Sequence, residues 1–208
     1  MSGSSALADR KCWKCGTATN TEQELFFCNC GVVQIVPSDM TFFQVMKCNE
    51  TFNIDVQLLS ELHKDLQRKL HPDRYSQKSK EERLLAEQQS AFINKAYNTL
   101  LKPLSRGLYL LELHNDPIEE SNSDVDPEFL MEVMEVNEDI AEASTDMDAL
   151  LKVENINSAK INLCLKEISK TFKDNDIPSA KRHLIKLKYF TNIDDKLKEV
   201  YRTMMDKH

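Results

Sequence analysis

Pro72 interrupts two long helical patterns, and that interruption constrains the fold more than any bulk property. Leu58, Leu59, Leu62, Leu66 and Leu70 recur at three- and four-residue steps, which places them on one stripe of a helix from about Asp55 to Leu70. Asn53 or Asp55 can cap its start, because a short side-chain oxygen accepts from the unpaired amides of a first turn. The helix has to stop near His71, since proline lacks a backbone donor and disfavours helical geometry in the residue before it. A second helix is expected from about Lys80 to Leu101, with Leu85, Phe92, Ala96 and Leu100 on one face and Ile93 and Tyr97 beside it. Two such helices joined by a short loop form an antiparallel hairpin, each burying its stripe on the other.

Turn-like joins divide the 208 residues into three regions: 1–37, 41–114 and 127–208. Pro37-Ser38-Asp39 makes the first join, and Asn115-Asp116-Pro117 with the acidic stretch Glu119 to Asp126 makes the second. The last region reads as three helices, about 127 to 144, 147 to 174 and 177 to 206. Their stripes are Leu150, Leu151, Ile161, Cys164, Leu165, Ile168 and Phe172 in the second, and Ala180, Leu184, Leu187, Leu197, Tyr201 and Met204 in the third. With only 4 Gly and 6 Pro to make turns, a many-stranded sheet is disfavoured and the fold class is mainly α.

No apolar run approaches the roughly 20 residues needed to cross a bilayer, so no membrane association is expected. Met1 to Arg10 has neither the hydrophobic stretch of a secretory signal nor the Arg-rich pattern of a transit peptide. The net charge of -7 conceals a segregation: Gly107 to Leu151 contains no Lys or Arg but 14 of the 34 acidic residues. The remainder carries 20 acidic and 27 basic residues, so one part of the molecule is acidic and another basic. An acidic total without a long basic run argues against a dedicated nucleic-acid binder.

Within the corner, His71 and Asp73 flank the rigid Pro72, beside Lys64, Arg68, Lys69 and Arg74. A positive helix surface ending in a fixed polar tip suits docking on an acidic partner, and a plain helix-ending turn is the simpler alternative. Acid-base catalysis by the His/Asp pair lacks a third member, since neither a nucleophile nor a Gly-rich phosphate cradle accompanies it.

Cys12-x-x-Cys15-Gly16 and Cys28-x-Cys30-Gly31 present four thiols in two close pairs. Four soft sulfurs can enclose a tetrahedral ion, and zinc prefers such closed thiolate sites for structural use, ahead of iron. The glycines let backbone amides turn back toward sulfur, and Glu24 to Phe27 would be one strand of a small ribbon. So small a module cannot bury a core of its own, so metal binding would supply most of its folding free energy. The single residue inside the second pair is shorter than zinc ribbons usually have, which keeps redox-active or unpaired cysteines as alternatives. Cys48 and Cys164 stand apart and read as small buried hydrophobes.

The helix beginning at Pro127 has two apolar faces. Phe129, Val133, Val136 and Ile140 fall within about 60 degrees of one another at about 100 degrees per residue, a seam for packing. Leu130, Met131 and Met134 fall opposite, sharing their arc with Glu135, Glu138 and Glu142. An apolar patch rimmed by carboxylates suits a binding surface, and a helix packed on both sides is the alternative.

Beyond these local readings, the middle region resembles the J domain. His71-Pro72-Asp73 is followed by Ile93-Asn94-Lys95-Ala96-Tyr97-Asn98-Thr99-Leu100, similar to that family's Ile-Asn-x-Ala-Tyr-x-x-Leu pattern, with Phe42 and Phe43 before it and Pro103, Arg106 and Tyr109 after it. Pro103 to His114, Phe129-Leu130-Met131-Glu132 and Lys186-Leu187-Lys188-Tyr189-Phe190 narrow the resemblance to the Hsc-type co-chaperones of iron-sulfur cluster biogenesis. The cysteine-bearing start resembles their animal mitochondrial form, which has a two-residue gap where this chain has Cys28-x-Cys30.

The resemblance implies a zinc-ribbon-like module at 1–37, a helical-hairpin J domain at 41–114 and a C-terminal three-helix, scaffold-binding domain at 127–208. It implies that the chain is no enzyme: His71, Pro72, Asp73, Lys64, Arg68 and Lys69 would engage a DnaK-type chaperone and stimulate its ATPase. An iron-sulfur cluster scaffold protein would bind Leu130, Met131, Met134, Glu135, Glu138, Glu142 and Tyr189, and Cys12, Cys15, Cys28 and Cys30 would hold structural zinc. The expected location is the mitochondrial matrix, the cytoplasm or both. A homodimer stays open, as does a nucleic-acid-binding zinc-ribbon protein.

Overall fold

The computed structural model describes residues 10–19, 25–119 and 125–206. The readings on Met1 to Asp9, on Glu24 and on Glu120 to Asp124 lie outside the described residues. The described chain is mainly helical: α1 (Phe42–Val45), α2 (Val56–Leu70), a 3-10 turn (Pro72–Tyr75), α3 (Lys80–Leu101), α4 (Pro103–Leu113), α5 (Pro127–Glu142), α6 (Met147–Lys173) and α7 (Ile177–Met205). None of these helices is long and apolar enough to cross a membrane.

Two compact units form. The first comprises residues 1–50 and 54–102, and the second 51–53 and 103–208. In the first, α2 and α3 pair as the expected hairpin. Asp55, rather than Asn53, caps α2, its carboxylate accepting from the amides of Gln57 and Leu58. Leu59, Leu66 and Leu70 are buried, whereas Leu58 is 62% exposed. Leu58 lies about 100 degrees from Leu59 around the helix, which carries it off the stripe.

The buried line of α3 also differs from the expected one. It runs through Glu82, Ala86, Gln89, Ile93, Ala96 and Leu100, while Leu85 and Phe92 are half-buried beside it. Two polar residues on the packed line shift its apparent centre when hydrophobicity alone is read. Phe92 still packs, edge-on to Phe42 of α1 with ring centroids 5.8 Å apart.

The cysteine-bearing segment belongs to the first unit and makes isolated bridges, Lys11 with Ala18 and Phe27 with Val33, in place of the expected ribbon strand. Arg10 braces the segment by donating to the carbonyls of Leu25 and Ile35, and Trp13 Nε1 donates to Val33 O at 2.8 Å.

In the second unit α6 and α7 form the longest pairing, with α4 and α5 packed on α7. Asp126, Asp146 and Asp176 cap α5, α6 and α7. Leu150, Cys164, Ile168, Ala180, Leu184, Leu187 and Leu197 are buried as expected; Phe190 and Ile193 join them, and Leu151 is exposed. Gly107 permits the close approach of α4 to α7, since a Cβ there would stand 2.4 Å from Leu184 Cδ2.

Candidate docking surfaces and metal centre

The corner between α2 and α3 is built by three local devices. Proline starts the 3-10 turn, His71 Nδ1 accepts from the Asp73 amide at 3.3 Å, and the buried Tyr75 donates its phenol to Lys69 O at 3.1 Å. The side chains of His71 and Asp73 remain 59% and 89% exposed, with His71 Nδ1 3.5 Å from Asp73 Oδ2. With Nδ1 occupied as an acceptor, the neutral imidazole carries its proton on Nε2, the outer nitrogen. Lys64, Arg68 and Lys69 are all exposed on α2, and Lys69 also pairs with Asp65 at 2.7 Å. Tyr75 is the part of this corner that sequence reasoning missed; an aromatic two residues beyond Asp73 was the signal.

On α5 the two faces separate as the wheel implies. Phe129, Val133 and Ile140 are buried and Val136 half-buried. Phe129 meets Tyr189 and Phe190 edge-on, at 5.6 and 5.5 Å between centroids. Lys160 pairs with Glu132, and Lys196 donates to Asn137 Oδ1 at 2.9 Å, tying the flanks of α5 to α6 and α7. Met131 and Met134 are left 63% and 62% exposed, with Leu130 half-buried beside them. Glu135, Glu138 and Glu142 are exposed along the same helix, so the apolar patch has an acidic border, and Tyr189 approaches through Phe129. Unpaired carboxylates around thioether and isobutyl groups suit a partner with an apolar centre and a basic rim.

Within the cysteine-bearing segment the sulfurs of Cys12, Cys15, Cys28 and Cys30 all lie within 4.8 Å of one another. Cys12 to Cys30 and Cys15 to Cys28 are each 3.7 Å. A tetrahedron with about 2.3 Å metal-sulfur bonds has edges of about 3.8 Å, so the four thiols fit a structural ion. The shortened second pair achieves this through Gly31, whose φ of 84° lets its amide return to Cys28 O; Gly16, at φ 71°, does the same for Cys12 O. Gln34 Nε2, buried, donates to the Cys12 sulfur at 3.3 Å. Of the other two cysteines, Cys164 is buried, which pushes its thiol up, and Cys48 is half-buried with its sulfur 3.7 Å from Phe43 O.

Comparison with known proteins adds an independent line. Residues 125–198 match the family model described as the HSCB C-terminal oligomerisation domain. A human protein named iron-sulfur cluster co-chaperone protein HscB is 40% identical over 191 residues, spanning 90% of this chain and 81% of its own. The mitochondrial J-type co-chaperone jac1 of Schizosaccharomyces pombe is 35% identical over 144 residues, 69% of this chain and 63% of its own. The crystal structure of human co-chaperone protein HscB superposes with a TM-score of 0.83 at 39% identity, covering 91% of this chain and 97% of that one.

Proposed function

Because the chain belongs to the HscB family of iron-sulfur cluster co-chaperones, we propose that it is an adaptor delivering a cluster scaffold to a DnaK-type chaperone and stimulating that chaperone's ATPase, promoting cluster transfer to recipient proteins. The observation that carries this reading is the exposed, proline-fixed corner at the end of the basic edge of α2.

His71, Pro72 and Asp73 make the tip contact, and Lys64, Arg68 and Lys69 meet acidic groups of the chaperone along the helix. The adaptor performs no chemistry. ATP is hydrolysed in the partner's own site, and the corner acts by binding one conformation of that partner better than another. The scaffold binds the α5 face, with Leu130, Met131 and Met134 at its centre, Glu135, Glu138 and Glu142 around it and Tyr189 beside it. Cys12, Cys15, Cys28 and Cys30 hold a structural zinc ion, which ties together the two cysteine turns of this segment. Residues 1–37, 41–114 and 127–208 thus divide by task into metal module, chaperone contact and scaffold contact. The proposed location is the mitochondrial matrix, the cytoplasm or both.

Steady-state ATP hydrolysis by a purified DnaK-type chaperone tests the carrying observation. The full chain should raise the rate, and His71→Gln should lose at least tenfold of that stimulation while its thermal melt stays unchanged. Full stimulation by His71→Gln would overturn the assignment.

A further inference from the structure

Glu82 is a buried carboxylate of the first unit. It lies in the first turn of α3, where Ser79 Oγ accepts from its amide, and it is only 2% exposed. Its Oε1 makes no hydrogen bond, and its Oε2 stands 3.9 Å from Lys14 Nζ. A carboxylate withdrawn from water is strongly destabilising unless an opposite charge accompanies it. Among the described residues, Lys14 supplies that charge.

Neither a helix nor a strand fixes Lys14. It lies between Cys12 and Cys15 in a turn closed by donation from Gly16 N to Cys12 O, and its own amide donates to the Cys12 sulfur. The counter-charge of Glu82 is therefore carried by the metal-binding knuckle itself.

Glu82 lies on the helix against which the corner packs. Tyr75 closes the 3-10 turn, which packs on α3, and its phenol is pushed up by burial with the Glu82 charge adding to it. We propose that Glu82 is a positioning residue for the His71-Pro72-Asp73 turn, held by Lys14 so that closure of the four-cysteine knuckle around its metal sets the order of that turn. Its functional meaning rests on the reading of the turn as the chaperone contact. When the metal leaves, the knuckle opens and Lys14 withdraws. Glu82, left without a counter-charge, then takes up a proton or turns toward water, and either change disturbs the first turn of α3 and the packing of Tyr75.

Hydrogen exchange on the full chain, zinc-loaded and after chelation, tests this link. The amides to follow are Arg74 and Lys78, bonded to His71 O and Tyr75 O at 3.0 Å each. In the natural sequence chelation should speed their exchange at least tenfold, and Lys14→Met should do so with zinc still bound. Glu82→Gln, which needs no counter-charge, should stay within twofold with or without zinc. Equal loosening of Glu82→Gln and the natural sequence on chelation, no loosening of either, or a Gln variant already loose with zinc bound would each overturn the proposal. Chaperone stimulation measured in parallel separates the two readings: exchange that follows this pattern while stimulation does not would retain the role of Glu82 and remove the chaperone contact.

Discussion

Four thiols brought within 4.8 Å share a problem of charge, because each thiolate that forms opposes the next. Hydrogen bonding of its sulfur with the Thr17 side chain and backbone lowers Cys15 to about 6. At Cys28 the Cys30 amide pulls the same way, but burial and the three neighbouring sulfurs prevail and push it up to about 12. At Cys30 the Val32 amide also pulls down, yet partial desolvation and the Cys15 and Cys12 sulfurs leave it raised. A divalent cation reverses this by supplying the missing positive charge, and it does so by displacing protons. Apparent zinc affinity should therefore fall as pH is lowered, by at least about tenfold per unit between pH 8 and 6, since more than one thiol must lose its proton. Competition with a chromophoric chelator across that range measures the slope; a flat profile would show that the sulfurs are not the ligands. The cysteine spacing made the donor set legible in sequence. It could not reveal that Gly31 compensates for the single residue between Cys28 and Cys30, because that depends on a backbone conformation.

Helices α2, α3, α5, α6 and α7 were legible because each carries a helical apolar period, with Asp55 and Pro72 bounding α2; the caps of α5 and α6 at Asp126 and Asp146 emerge only from the structure. Helix α4 was not read as a helix, since 11 residues with apolar groups all round carry no stripe and its place depends on Gly107 lying against Leu184. The α5 face yields a prediction because exposure and packing separate so cleanly there. Alanine at Leu130, Met131 and Met134 should raise the scaffold dissociation constant at least tenfold, while the two exposed methionines each cost under about 0.5 kcal/mol of stability. Calorimetric titration with the scaffold decides, and unchanged affinity would refute this face.

Farther along the bundle, Tyr201 Oη donates to Glu154 Oε2 at 2.9 Å, joining α7 to α6. Burial, with Glu154 adding to it, pushes this phenol up to about 12 from an ordinary 10. A proton acid with a raised folded value contributes stability that is complete below pH 10 and is lost between about 10 and 12, as the unfolded phenol ionises first. Urea melts at pH 9 and 11.5 should show a smaller alkaline loss for Tyr201→Phe than for the natural sequence. Equal losses would mean that the Glu154 contact does not hold the proton.

At the scale of the whole chain, an adaptor works by joining two contacts that need not be strong separately. On the proposed reading, a scaffold held on α5 would be presented to the chaperone at the local concentration set by the connecting chain, an increase that no single contact provides. Charge follows the same division: the segment free of Lys and Arg, from Gly107 to Leu151, contains the apolar face of α5 proposed for the scaffold, and the basic edge of α2 lies outside it. Two variants, each defective in one contact, therefore make a decisive pair. His71→Gln should bind scaffold without stimulating. A chain with Met131→Lys and Met134→Lys should stimulate at the basal level but gain nothing from added scaffold. Mixed in equal amounts, the two should not restore scaffold-dependent stimulation, because neither chain carries both contacts. Restoration in the mixture would show that a dimer bridges scaffold and chaperone, and would replace the single-chain adaptor with an assembly of two copies. Sedimentation at the assay concentration, run beside the ATPase measurement, would then identify the dimer directly.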